Sequence, residues 1–238
     1  MYLKSIYFKA LSNRDRKHVK GKLNIGPSPF MNNTAVILGG GSISDKGLRI
    51  LETQGVDLAL NSSKNDSLLI KNIMFEIPNL TDDKQFIFTY YDYLKKMHIN
   101  GTKLYYRPSA RDSQNELFNK FKNIIDYYVY EQRVTEDNHA IFKQFKHKNM
   151  PIPYYRYSIF AAIWWAVLSG CKEIHLYGFE LPHTIVNSTL DAHPTLKLVN
   201  GENVFTLLYK LWIDLLDYGI EIKIDNSGAL SKQMRLVS

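Results

Sequence analysis

The stretch Ala35-Val36-Ile37-Leu38-Gly39-Gly40-Gly41-Ser42-Ile43-Ser44 decides how this chain is read, together with Val56-Asp57-Leu58-Ala59-Leu60-Asn61 just downstream. An apolar run enters a triple glycine. A Ser and an amphipathic segment follow, and a second apolar run ends in a polar Asn. This pattern predicts strand, tight turn, helix, strand, the first half of a nucleotide-binding α/β unit. Glycines let backbone turn sharply and approach a phosphate, and N–H groups at a helix start favour an anion. The turn departs from G-x-G-x-x-G because position 44 is Ser, and no Gly-Lys-Ser/Thr makes it a Walker A loop. A turn that needs glycine for geometry alone is the competing reading.

Outward from that stretch, the alternation continues. Strands are predicted at 35–38, 56–60, 73–75, 103–106, 173–177 and 220–224. Ser44 reads as the N-cap of a helix carrying Leu48, Ile50 and Leu51, which Gly55 ends. Pro78 is expected to close the third strand. Asp82 and Asp83 are expected to begin a helix carrying Phe86, Ile87, Tyr90, Tyr91 and Leu94. Residues 114–130 read as a helix through Leu117, Phe118, Phe121, Ile124 and Ile125. Residues 131–152 are polar and charged and read as an excursion or a flexible connection. Residues 158–168 are apolar nearly all round and predict a central buried helix, capped at Gly170. A last helix is expected at 202–217. Strands alternating with helices argue for a doubly wound, mostly parallel sheet of the Rossmann-like kind.

Bulk properties narrow the class. A chain of 238 residues with 45% hydrophobic residues suits one medium domain. The lone Cys171 excludes an internal disulfide framework and Cys-based zinc clusters, and points to a reducing compartment. No stretch reaches the roughly 20 apolar residues of a membrane span. The first residues carry no signal-peptide pattern, so a cytoplasmic location is expected. A net charge of +7 favours anionic partners. Basic residues crowd at Arg14, Arg16, Lys17, Lys20 and Lys22, behind an amphipathic run from Tyr2 to Leu11. Residues 1–30 are therefore read as an amphipathic, basic extension suited to an anionic membrane surface, and 31–238 as the α/β domain. The 16 Tyr are spread through helical patterns and make no nucleic-acid signature, so nucleic acid is not expected as a partner. A homo-oligomer stays open.

The residues just after the predicted strands form the candidate site: Gly39, Gly40, Gly41 and Ser42; Asn61 and Ser62; Glu76; Arg107; Gly178 and Glu180; Asn226 and Ser227. Tyr157 and Ser158 at the start of the buried helix join them, with Arg156 just before. The set is polar and poor in carboxylates, suited to a nucleotide and its phosphate. No Asp-x-Asp pair sits at a strand end, so no metal ligand and no cofactor is assigned. Residues 181–200, with His183 and His193, read as a long loop, functional or disordered. A histidine there has a pKa suited to a general base. His175 lies inside a strand and reads as a satisfied core or edge residue.

These features resemble the bacterial lipooligosaccharide sialyltransferases that use CMP-sialic acid, and their broader relatives. The likeness covers roughly residues 33–235. In that family a first strand runs into a Gly-x-Gly-Pro-Ser turn, here Gly39-Gly40-Gly41-Ser42 without the Pro. The second strand ends in an Asn, here Asn61. The third ends in an aromatic, a polar residue and a Pro, here Phe75-Glu76-Ile77-Pro78. A Thr-Ser pair opening a buried Ala-rich helix is matched by Tyr157-Ser158. The helix then ends in Gly-x-Lys-Glu-Ile, an aromatic, Leu, x and Gly, here Gly170-Cys171-Lys172-Glu173-Ile174-His175-Leu176-Tyr177-Gly178, and the most specific part of the match is 157–180. An Asn-Ser pair follows the last strand, here Asn226-Ser227. The resemblance implies a GT-A-like single-sheet nucleotide-sugar transferase without a metal, with a lid at about 181–200. It implies a CMP-sugar donor, a glycan acceptor and a loop His base, His193 or alternatively His183. Two other classes stay open: an ATP- and Mg²⁺-dependent pyrophosphokinase of the pterin type, and a non-catalytic nucleotide-binding protein.

Overall fold

The computed structural model describes residues 27–41, 43–61, 67–78, 84–107, 118–129, 131–133, 138–144, 152–154, 158–179 and 204–225. Nine strands and six helices are defined among them: β1 (Thr34–Leu38), α1 (Asp45–Gln54), β2 (Leu58–Leu60), β3 (Asn72–Phe75), α2 (Lys84–Ile99), β4 (Lys103–Tyr106), α3 (Phe118–Phe121), β5 (Tyr127–Tyr128), β6 (Glu131–Arg133), α4 (Asn138–Gln144), β7 (Ile152–Tyr154), α5 (Ser158–Leu168), β8 (Glu173–Tyr177), α6 (Val204–Leu216) and β9 (Glu221–Ile224).

Seven strands make one sheet in the order β5-β4-β3-β2-β1-β8-β9, and every pairing is parallel. The order reverses between β1 and β8. A parallel sheet covered on both faces needs apolar residues on both sides of its inner strands. β1 meets that demand: Ala35 and Ile37 enter one core, Val36 and Leu38 the other. The first core packs α5 and α6 against the sheet. The second packs α1, α2 and α3. Helices thus lie on both faces, as the alternation predicts, and the arrangement is compatible with a Rossmann-like fold.

Local chemistry explains the helices. Ser44 caps α1 in extended geometry (φ −69, ψ 156), its Oγ accepting from Gly47 N at 2.9 Å. α2 buries Ile87, Tyr90, Leu94 and Met97, one stripe at helical spacing. Phe86 lies outside that stripe and is 47% exposed. α5 buries every residue from Ile159 to Val167. Its large side chains, Phe160, Ile163 and Trp164, contribute about 2–3 kcal/mol each by burial. α1 and α5 end at Gly55 and Gly170, as read from sequence.

Three expectations need correction. The helix expected over 114–130 is, where described, one α-turn (α3) and a 3-10 turn at Lys122–Ile124. The chain then extends into β5 at the sheet edge. Asp126 drives this change: its carboxylate accepts from Leu104 N at 2.9 Å and its own N–H donates to Leu104 O. Tyr127 packs on Tyr105 with ring centroids 4.9 Å apart. The excursion at 131–152 holds structure, since β6 and β7 pair in parallel around α4. The second strand is shorter than expected, with Val56 joined to Ile70 by an isolated bridge. The third ends at Phe75, ahead of Pro78. The amphipathic run 2–11, the basic segment, Asp82, Asp83 and loop 181–200 lie outside the described residues. Among the described residues, no helix is long and apolar enough to cross a membrane.

Candidate functional site at the carboxyl ends of the strands

In open α/β sheets, ligands bind beyond the carboxyl ends of the strands, where the strand order reverses. Here that edge divides into two unlike halves.

The β1 and β8 ends are packed together. Gly39 N donates to Tyr177 O at 2.7 Å, and Gly41 N donates to Gly178 O at 2.6 Å. A Cβ on Gly39 would lie 2.5 Å from Gly178 O. A Cβ on Gly178 would lie 2.9 Å from Gly39 O and 3.0 Å from Gly41 O, and Gly178 has φ +67. These glycines therefore serve backbone-to-backbone approach, and two of their N–H groups are committed to the neighbouring strand. The N-cap residue of α1 is also held. Asp225, just past β9, accepts from Ser44 N at 2.6 Å and from Ser44 Oγ at 2.5 Å. Its carboxylate fills the space over Gly47, where a Cβ would meet it at 2.8 Å. Burial first, and the Asp225 carboxylate second, push the nearby Tyr177 phenol up from its ordinary pKa.

The β2, β3 and β4 ends are polar. Asn61 takes the left-handed conformation at φ 57, unusual for a residue with a side chain. Its N–H donates to Met74 O at 2.9 Å, and its Oδ1 accepts from Glu76 N at 3.3 Å. Parallel register pairs Phe75 with Tyr106, so Glu76 and Arg107 emerge side by side. Arg107 Nη1 donates to Glu76 Oε1 at 2.5 Å and to Ser158 Oγ at 3.2 Å. Ser158 Oγ donates to the same Glu76 oxygen at 3.2 Å. The Arg107 side chain is 5% exposed and that of Glu76 40%. A buried cation is thus neutralised by a carboxylate that still faces solvent, and both meet the first residue of α5. This cluster offers hydrogen-bond acceptors to hydroxyl or amino donors of a ligand.

Among the sequence-predicted residues, Asn61, Glu76, Arg107 and Ser158 come together, while Gly39, Gly41 and Gly178 form the packed half. Gly40 sits exposed at the turn. Ser42, Ser62, Arg156, Tyr157, Glu180, His183, His193, Asn226 and Ser227 lie outside the described residues. His175 lies within the inner strand β8, paired with Val36 on one side and Lys223 on the other, and is hydrogen-bonded to Glu173, a satisfied residue as expected. Asp225 was not singled out by the sequence. Its signal was the alternation Glu221, Lys223, Asp225, which puts it on the same side of the sheet as α1. A hollow of about 500 Å³ along α1 is lined by Asp45, Lys46, Arg49, Ile50, Thr53 and Gln54, all from one helix and none from a strand end. Among the described residues, no three His, Cys, Asp or Glu side chains are grouped so that they could hold a metal ion.

Comparison with protein-family models, curated proteins and solved structures finds no match to this chain.

Proposed function

We propose that this chain is a metal-independent glycosyltransferase of a GT-A-like kind. It moves sialic acid, or a similar acidic sugar, from a CMP-linked donor to a lipooligosaccharide-type glycan. The observation that carries this reading is the convergence of Asn61, Glu76, Arg107 and Ser158 at one end of a parallel sheet. The resemblance in sequence includes the ends of the same second and third strands and is most specific over 157–180, which begins at the start of the buried helix.

In this reading, Asn61 and Ser158 hold the nucleoside, and Glu76 accepts from its hydroxyl or amino groups. Arg107 is a positioning residue, because its charge is already matched by Glu76. Phosphate stabilisation then falls to Arg156, Tyr157 and backbone N–H groups. His193, or His183 in its place, takes the proton from an acceptor hydroxyl. The acceptor oxygen bonds to the anomeric carbon as the bond from that carbon to the phosphate oxygen breaks. The electron pair leaves with CMP. Loop 181–200 closes over the donor. Residues 1–30 hold the enzyme at the cytoplasmic face of an anionic membrane, near glycolipid acceptors.

Thermal stabilisation by CMP, CDP, UDP, GDP and ATP, each with and without EDTA, tests this. Selective stabilisation by CMP that survives EDTA is the expected result. Stabilisation by ATP with Mg²⁺ alone would replace it with the pyrophosphokinase, and no shift with any nucleotide would remove it. Deleting residues 1–24 should weaken binding to anionic vesicles, and unchanged binding would remove the membrane role.

A further inference from the structure

Tyr90 carries a buried hydroxyl that the fold leaves unused. The residue is 5% exposed, and its Oη makes no hydrogen bond. A buried donor without an acceptor is costly, so such a group points to something that engages it. Its position says where. β3 and β4 are parallel and α2 joins them, so α2 starts near the carboxyl ends of the strands and runs back along the sheet. Helix side chains lean toward the helix start. Tyr90 therefore sends its ring toward the carboxyl edge, where it stacks on Phe86, one turn earlier, with centroids 6.0 Å apart and planes 3° from parallel. Burial first, and the Glu76 carboxylate second, push the phenol well above its ordinary pKa, which keeps the proton on the hydroxyl.

Glu76 stands at the end of β3 between the two helix layers. Ser158 of α5 meets it from one layer, and Tyr90 of α2 belongs to the other. Arg107 and Ser158 both engage Oε1, which leaves Oε2 for a ligand on a side chain 40% exposed. The end of β3 thus offers an acceptor from Glu76 and a donor from Tyr90. The negative charge repels a phosphate and suits a neutral group that both gives and accepts a hydrogen bond.

We propose that Glu76 and Tyr90 read the base of the bound nucleotide and select cytosine. Glu76 Oε2 accepts from the 4-amino group, and the Tyr90 hydroxyl donates to the ring nitrogen beside it. Uracil reverses both groups: a carbonyl oxygen faces the carboxylate, and a ring N–H faces the phenol proton. Phe86, half exposed over the Tyr90 ring, is the side chain that yields to the base. The inference rests on the reading of a CMP-linked donor and names the residues that choose its base.

The test is calorimetric titration of cytidine, uridine, CMP and UMP into the full chain and its Tyr90→Phe and Glu76→Gln variants, with the melting temperature of each protein. Wild type should bind CMP about tenfold more tightly than UMP, or better. Tyr90→Phe removes only the hydroxyl. It should weaken CMP binding about tenfold and leave UMP binding within about twofold. Its melting temperature should not fall, since the free protein loses no hydrogen bond. Glu76→Gln keeps the shape and can donate as well as accept, so the preference for CMP over UMP should shrink or vanish. Wild type that binds UMP as tightly as CMP, or a preference that neither variant changes, would overturn the inference. So would a lower melting temperature in Tyr90→Phe with CMP affinity kept, because the hydroxyl would then serve the fold. Cytidine and uridine separate this inference from the donor reading. A preference for cytidine that depends on Tyr90, without transfer from a CMP-linked sugar, would keep the base reader and remove the transferase. Metal-independent transfer from that sugar, with neither variant altering base preference, would do the reverse. Binding of neither cytidine nor CMP would remove both.

Discussion

Two neighbouring parts of one sheet edge are built for different ends. Where β1 meets β8, backbone touches backbone. Gly39 and Gly178 leave no room for a Cβ, and Asp225 seals the start of α1. Where β2, β3 and β4 end, side chains converge instead: Asn61 in a left-handed turn, then Glu76 and Arg107 beside Ser158. The contrast separates two meanings of a glycine-rich turn. Here the glycines mark close packing, and the polar side chains one to three strands away are where we propose that a ligand binds.

The largest expected effect breaks the packed half. Gly178→Ala puts a methyl group against two backbone carbonyls and keeps a residue with a side chain at φ +67. We expect a loss of about 3 kcal/mol or more in urea unfolding. A loss below about 1 kcal/mol would show that the two strand ends are not locked together.

Next comes the polar half. Arg107→Met should cost about 2–3 kcal/mol, because Glu76 and Ser158 lose their shared donor within a largely buried site. The solvent-facing side of Glu76 keeps this below the full penalty of a buried pair. A double-mutant cycle with Glu76→Gln should show coupling of about 1 kcal/mol. Strict additivity would mean that the pair does not act as a unit.

Asn61→Gly sharpens the comparison from the other side. Glycine relieves the left-handed conformation, so stability should stay within about 1 kcal/mol of wild type. CMP affinity should nonetheless fall about tenfold, because Oδ1 no longer fixes the Glu76 backbone. Retained CMP affinity would show that Asn61 serves only the turn.

The smallest effect lies away from both halves. Hydrogen bonding from Lys223, then from His175, holds the Glu173 carboxyl below its ordinary pKa. A depressed carboxylate stabilises the fold at neutral pH and loses that contribution as pH falls below about 4.5. Glu173→Gln should therefore flatten the acid limb of the stability profile. An unaltered limb would mean that the pair is fully screened.

Much of this fold was legible because its strong signals are local. The apolar run 35–38, the all-round apolar helix 158–168 and Ser44 as a cap need no distant partner to be recognised. β5 was not legible. Phe118, Phe121 and Ile124 keep helical spacing up to the residue where Asp126 turns to pair with Leu104, a contact across 22 positions. The candidate site divides in the same way. Asn61, Glu76, Arg107 and Ser158 each stood out at a predicted element end. Their hydrogen bonds depend on the β3–β4 register, which no single segment encodes. Asp225 was harder still, because a carboxylate after a last strand looks like ordinary loop until the sheet order brings it to α1.

The most direct measurement is an amide NMR titration of the ¹⁵N-labelled chain with CMP. The expected result is shift changes at Asn61, Glu76, Arg107 and Ser158, with Ser44 and Gly47 at the Asp225-sealed start of α1 nearly still. Changes centred on Ser44 and Gly47, with the β2–β4 ends unmoved, would contradict the division of the sheet edge into a packed half and a binding half.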